Sequence, residues 1–234
     1  MTWIPRAGPT VERMDHPDLD PDQLEAALDH VAAVNRWLGG RRALLRHVAA
    51  GWPRGTGAAR ILDVGTGSGD LPRSIARWAH TRARPVLITA VDLHPATLRV
   101  ARQRTPDPAI RMLRGDARRL PFTTAAFDLA LLSMTLHHLD GDDLVLALRE
   151  LGRVARGGRV LVGELERALP NYLGARLLAA TAWRRNPITR HDGPLSVRRS
   201  FTPDELRALA RRAGLKHPRV HRHAFYRLVL RADA

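Results

Sequence analysis

Three glycines at every second position, Gly65, Gly67 and Gly69, follow a short apolar run and an aspartate, Asp63, in the stretch RILDVGTGSGDLP from Arg60 to Pro72. Glycine adopts positive φ and lets a ligand lie against bare backbone. After a strand-like run and before a helix-like one, the spacing reads as a binding loop at the carboxyl end of a strand. A dinucleotide loop spaces its glycines G-x-G-x-x-G, so that a pyrophosphate rests on the helix N-terminus. Here the last glycine comes one residue early, and Asp70 stands where that pattern requires glycine. Asp63 and Asp70 repel a phosphate and suit an ammonium or a sulfonium. The expected ligand is cationic. Further acids close two later strand-like runs, Asp92 in VDLHP and Asp116 in RGDARRLPF. His137 and His138, at the end of FDLALLSMTLHHL, have the side-chain type for general base work; the alternative is that they pack and cap the strand exit.

The elements that position these residues follow from the apolar pattern. Strands are predicted at RILDV, VLITAVDL, IRMLRG, FDLALLSM and RVLVGEL, with helices between them at DLPRSIARWAH, PATLRVARQR and DLVLALRELGRVA. Strand and helix in alternation predict a parallel sheet covered on both faces. Upstream, residues 1–19 are polar and proline-rich and read as a loosely held arm, and Asp20 and Pro21 open a helix that ends at Gly39 and Gly40. A second helix follows at RRALLRHVAAG, then a loop at residues 52–57. After Glu164 the rhythm breaks: residues 166–200 are expected to supply one helix and a long connection, a candidate lid. Thr202 and Pro203 cap a last helix, and HPRVHRHAFYRLVLRA gives two closing strands. The expected division is an N-terminal arm and helical cap over residues 1–55 and one binding domain over 56–234.

Composition narrows the function. The 234 residues contain no cysteine, which removes disulfides, thiolate metal sites and cysteine nucleophiles and fits a cytoplasmic protein. No apolar run approaches a membrane span. The net charge of +15 would suit nucleic acid, but the arginines are dispersed, Lys216 is the only lysine, and neither a basic tract nor an aromatic stacking motif accompanies them. A nucleic-acid partner is not expected.

DVGTGSG is similar to the first motif, [D/E]-x-G-x-G-x-G, of the class I S-adenosylmethionine-dependent methyltransferases, and the later strand ends resemble that family in order. The resemblance covers Arg60 to Leu165, with the tail from Phe201 fitting the family's closing helix and hairpin. It implies a doubly wound, seven-stranded, mostly parallel Rossmann-like α/β sheet with N-terminal helices and a helical lid. It also implies S-adenosylmethionine as cofactor and S-adenosylhomocysteine as product. Asp63 and the loop residues Gly65, Thr66, Gly67 and Gly69 would hold the methionine part, Asp92 the ribose, and Leu93, Asp116 and Ala117 the adenine, with Ser133 closing the site.

The methyl acceptor is less defined. The N/D-P-P-Y/F motif of enzymes that methylate adenine or glutamine amines is absent after the fourth strand, where Ser133-Met134-Thr135-Leu136-His137-His138 stands instead. LDHVAAVNRWLGGRRALLRHV is similar to the region preceding the first motif in ubiquinone and menaquinone methyltransferases, with Asn35 and Gly40 matching in kind. RHDGPLSVRRSFTPDEL resembles a segment of methyltransferases associated with type III polyketide synthases. These resemblances imply a small phenolic, polyketide-like or quinone-like acceptor, with O-methylation preferred to C-methylation. His137 or His191 is the candidate base, and Asn35, Met134, His138 and Arg198 are candidate acceptor contacts. An RNA methyltransferase and a non-catalytic binder of the cofactor are the alternatives. No metal is expected: Asp140, Asp142 and Asp143 read as caps of the helix that follows them, and His221 and His223 as a solvated strand edge. Trp37 is expected in the core.

Overall fold

The computed structural model describes residues 3–16, 18–55 and 57–234. Met1, Thr2 and Pro17 of the expected arm and Thr56 of the expected loop lie outside them. The framework is one seven-stranded sheet in the order β3-β2-β1-β4-β5-β7-β6. Its strands are β1 (Ala59–Val64), β2 (Val86–Asp92), β3 (Ile110–Arg114), β4 (Leu129–Ser133), β5 (Arg159–Leu165), β6 (Lys216–His223) and β7 (Arg227–Asp233). The first five run parallel; β7 pairs antiparallel with β5 and forms an edge hairpin with β6. This is the doubly wound arrangement anticipated above. The order reverses direction between β1 and β4, which opens a crevice at their carboxyl ends where such sheets bind ligands.

Both faces of the sheet are buried, so the central strands read as continuous apolar runs. Period-two alternation splits them between two cores. Leu62, Val64, Ala130, Leu132, Val160 and Val162 share one with α5 (Asp143–Val154) and α8 (Pro203–Arg212). Ile61, Ile88, Leu129, Leu131 and Leu161 share the other with α2 (Gly40–Ala50) and α3 (Asp70–His80). Asp63 falls between Leu62 and Val64 and is therefore carried inside, 2% exposed.

Helix α1 (Pro21–Trp37) starts as the sequence predicts, with Asp20 accepting the Gln23 N–H at 2.9 Å and Pro21 in its first turn. Leu24 and Leu28 of α1 pack against Val100 of α4 (Pro95–Arg104). Trp37 is an exception to expectation. It lies 71% exposed at the end of α1, with Arg36 stacked over its ring.

Two segments differ from their sequence reading. Residues 166–200 hold two helices, α6 (Leu169–Ala180) and α7 (Pro187–Arg199), rather than one helix and a connection. Gly193 and Pro194 suggest a break inside α7, but Asn186 caps it by accepting the Thr189 N–H at 3.0 Å. Gly193 is there for close approach, since a Cβ would run into the Trp183 ring. The arm, expected to be loose, is docked on α7. Arg13 and Met14 donate their backbone N–H groups to the two Asp192 carboxylate oxygens at 2.9 Å each, and Ala7 donates to the Arg198 carbonyl at 3.0 Å. Polar composition implied solvent; these polar groups instead find partners on one helix.

Candidate active site

The sheet crevice opens into a cavity of about 570 Å³. Its floor is the glycine loop. Gly65, Gly67 and Gly69 hold φ of +68°, +55° and +74°, values that favour glycine. Gly65 and Thr66 donate their N–H groups to the Val91 carbonyl at 2.8 and 3.0 Å, which ties the loop to β2. Gly67 N–H is taken by Asp92 Oδ2 at 3.0 Å, while Asp92 Oδ1 accepts from His94 N–H at 3.1 Å. Asp92 therefore fixes the loop it faces. Gly69 contributes from behind the floor, as the left-handed residue from which α3 departs.

The structure brings most of the sequence candidates to this cavity. Asp63, Gly65, Thr66, Gly67 and Asp92 line one side; Leu93, Asp116 and Ala117 continue it along the tips of β2 and β3. Ser133, Met134, Asn35 and His138 line the other. Burial pushes the Asp63 carboxyl up to about 7, with Asp70 and Asp92 adding to the rise. Burial also raises Asp92, against the two N–H groups it accepts. The Asp116 carboxylate is drawn the other way. Arg118 grips it at 2.6 Å and holds it below the usual carboxylate range. These acids, with no basic side chain among the loop residues, form a seat for a cation.

Three candidates stand elsewhere. His137 is 1% exposed and lies behind the cavity wall, its Nδ1 donating to Glu164 Oε2 at 2.7 Å, so it is not a base with access to a substrate. His191 points away, paired with Asp192 at 2.7 Å, and does not line the cavity. Arg198 is on the outer face of α7, and its neighbour Arg199 is the residue turned inward. Arg199 donates to the His137 carbonyl at 2.7 Å, the Thr10 carbonyl at 2.8 Å and Asp140 Oδ2 at 2.9 Å. The acids expected to cap α5 do other work. Asp140 pairs with Arg199, Asp143 pairs with Arg118, and Asp142 occupies the cap position without a side-chain bond to the helix.

Several site residues carried no local signal. Glu12 and Asp15 of the arm, Glu164 of β5 and Arg199 surround the two histidines. Burial alone would lower His138, but Glu12, Asp15 and Glu164 outweigh it and raise the imidazole to about 9. Only Arg199 left a trace, since it falls on the α7 face marked by Ile188 and Asp192 at helical spacing.

Comparison with known proteins agrees with this geometry. A methyltransferase-domain family model matches residues 62–162. A demethylmenaquinone methyltransferase of Roseiflexus sp. is 32% identical over 166 residues, 66% of this chain and 67% of the relative. The ubiquinone/menaquinone biosynthesis C-methyltransferase UbiE of Burkholderia vietnamiensis is 34% identical over 111 residues, and the match spans 44% of that protein. Among solved structures, a SAM-dependent methyltransferase from Aquifex aeolicus superimposes with a TM-score of 0.65 at 17% identity, covering 92% of this chain and 98% of the other. The acids at the strand tips, the open glycine loop and this relationship lead to one conclusion: the chain belongs to the class I S-adenosylmethionine-dependent methyltransferases.

Proposed function

We propose that the enzyme methylates a small aromatic hydroxyl compound, a phenol or a quinol, enclosed between the strand tips and the docked arm. The observation that supports it is the cavity's mixed character. Acids gather at the glycine loop, while Met14, Val31 and Met134 give the lining an apolar part, and Pro9 to Val11 of the arm border the same cavity. A roof of this kind admits a flat small molecule and excludes a folded RNA. No helix of the described residues is long and apolar enough to cross a membrane.

The donor set fits S-adenosylmethionine. The buried Asp63, poised near neutrality, is suited to a ligand ammonium, Asp92 has oxygen lone pairs left for ribose hydroxyls, and Leu93, Asp116 and Ala117 would flank the adenine. Gly65, Thr66, Gly67 and Gly69 would shape the methionine seat, and Ser133 would close it. When bound, the cofactor supplies an electrophilic methyl group on a sulfonium. The protein's share is to orient the acceptor, exclude water and govern its proton.

A positive field supports a phenolate. His138, held charged by Glu12 and Asp15, is in no state to take a proton at neutral pH. Arg41 lines the cavity near Asp70, whose carboxyl, raised by burial, it draws down. Arg227, 3% exposed, lies behind Met134 and is lowered to about 10 by burial, with Glu164 partly offsetting the fall. These cations lower the cost of ionising an acceptor hydroxyl, and the resulting oxygen is the preferred methyl acceptor. Transfer to ring carbon is the second reading, favoured by the likeness to demethylmenaquinone methyltransferase. The test supplies isotope-labelled S-adenosylmethionine with phenolic and naphthoquinol acceptors, and in parallel with RNA, and locates the label by NMR. An O-methyl product is expected; label on ring carbon alone selects the second reading, and transfer to RNA alone rejects both.

A further inference from the structure

Glu12, His137 and His138 meet beneath the arm in an arrangement that the cofactor seat does not explain. Glu12 is 1% exposed. Among the described residues its one hydrogen-bond donor is Ser196 Oγ, at 3.0 and 3.1 Å from its two oxygens, and that same hydroxyl also lies 2.9 Å from the Asp192 carbonyl. A buried carboxylate is thus left with a share of one proton, a costly state without a further partner.

Each imidazole is already oriented by an acid. His137 Nδ1 donates to Glu164 Oε2 and His138 Nδ1 to Asp15 Oδ2, both at 2.7 Å. Both Nε2 atoms consequently face Glu12, 3.8 Å from Oε1 and 3.7 Å from Oε2. Neither Nε2 closes to the about 2.7–2.9 Å of a charge-assisted bond, and an ion bound there would displace the proton that the acids hold on His138. Ligands about 2.0–2.2 Å from a tetrahedral metal stand roughly 3.4 Å from one another, a few tenths of an ångström inside the gaps found here. The ligating atoms all lie within 4.8 Å of one another. Donation of the second ring nitrogen to a carboxylate is the usual way a metal-binding histidine is held. Arg199 touches the cluster through the His137 carbonyl but has its own acid in Asp140, so Glu12 faces the gap while Glu164 and Asp15 hold the rings from behind.

We infer that Glu12, His137 and His138 form a binding site for one divalent first-row transition ion, through the two Nε2 atoms and the Glu12 carboxylate. Two histidines and one glutamate are a ligand set suited to zinc with a coordination position left open. His138 and Asp15 line the cavity, so that position faces the acceptor side. Spacing along the chain concealed the set, because Glu12 lies in the arm and the two histidines beyond β4, and no metal was expected from the sequence. The site is independent of which acceptor is methylated, and of whether methyl transfer occurs at all.

The test uses the full chain freed of metal by chelation, titrated with zinc chloride against a chromogenic chelator, with cobalt chloride spectra recorded alongside. One ion per chain is expected, with a rise in Tm and visible cobalt bands of low coordination number. Glu12→Gln weakens zinc binding by about 100-fold, and Asp15→Asn, which removes an orienting acid, by about 10- to 100-fold. His47→Ala leaves it unchanged; His47 belongs to the other histidine group, with its Nε2 3.0 Å from that of His223. Zinc uptake no better than a buffer control, or uptake that survives Glu12→Gln and disappears in His47→Ala, overturns the inference. Should Glu12→Gln fail to fold, the cobalt spectrum of the unaltered chain and the Asp15→Asn titration carry the test, and absence of the bands rejects the site.

Discussion

The two walls of the cavity are made in different ways. The cofactor wall is built from backbone: a glycine loop and the tips of four neighbouring strands, with acids at fixed places along the chain. The roof is built from side chains that meet across most of the sequence, Glu12 with Ser196, Asp15 with His138, Asp192 with Arg13 and Met14. A wall made of backbone geometry tolerates few substitutions at few positions. A roof made of charged contacts spreads its dependence over many, and its chemistry is set by burial.

The sharpest way to break this contrast is at Gly65. Its φ of +68° and the overlap of an added Cβ with Thr135 make Gly65→Ala costly on two counts. We expect a loss of about 3 kcal/mol of stability and no measurable cofactor binding by calorimetry. Gly174→Ala, in open space within α6, is expected to be neutral or stabilising by up to about 1 kcal/mol. Equal behaviour of the two variants would remove the special status of the loop.

The roof is tested next. Arg199 is 2% exposed and joins α7 to Asp140, to the His137 carbonyl and to the arm. Arg199→Ala is expected to destabilise by about 3 kcal/mol and to open the arm to limited proteolysis before the sheet unfolds. Arg198→Ala, one residue away on the outer face, should stay within about 0.5 kcal/mol. Indistinguishable melting curves for the pair would mean that the roof is not held through this guanidinium.

How much was legible follows the same division. The sheet, its strand tips and the cofactor wall could be read because period-two burial and the glycine spacing are local facts of the chain. Arg199 could not be told from Arg198 in VRRS except through its helical spacing from Ile188 and Asp192. The arm misled because Glu12 and Asp15 look like solvent-facing acids until α7 folds over them. His137 misled for a related reason. Its neighbour His138 reaches the cavity, and one residue of offset in a 3-10 turn from Leu136 to His138 determines which ring faces a substrate and which faces Glu164.

Smaller effects sharpen the cofactor wall. Asp92→Ala should weaken S-adenosylmethionine by about 1–3 kcal/mol through lost charge-assisted bonds, read as a shift in calorimetric affinity; unchanged affinity would refute its assignment to the ribose. Asp63 gives a pH test. Its folded carboxyl titrates near 7 rather than at its usual 3.8, so the ligand-free fold gains stability from the neutral form below about 4 and loses it as pH rises through 7. A cationic ligand favours the carboxylate. Binding at pH 6 should therefore expel a proton, with affinity falling by up to about tenfold per unit as pH drops below 7. Calorimetry at pH 6 in buffers of differing ionisation heat measures that proton, and Asp63→Asn should abolish it. Identical heats in every buffer would place the ligand's charge away from Asp63.

The arm also orders assembly in time. Arg6 bonds to a carbonyl 193 residues further along, at Arg199, whereas β1 through β5 are complete by Leu165. During synthesis the pairing strands can therefore associate while the lid helices are still unmade, and the arm must wait for α7 before it finds its partners. The cavity begins as an open trough and becomes a chamber last.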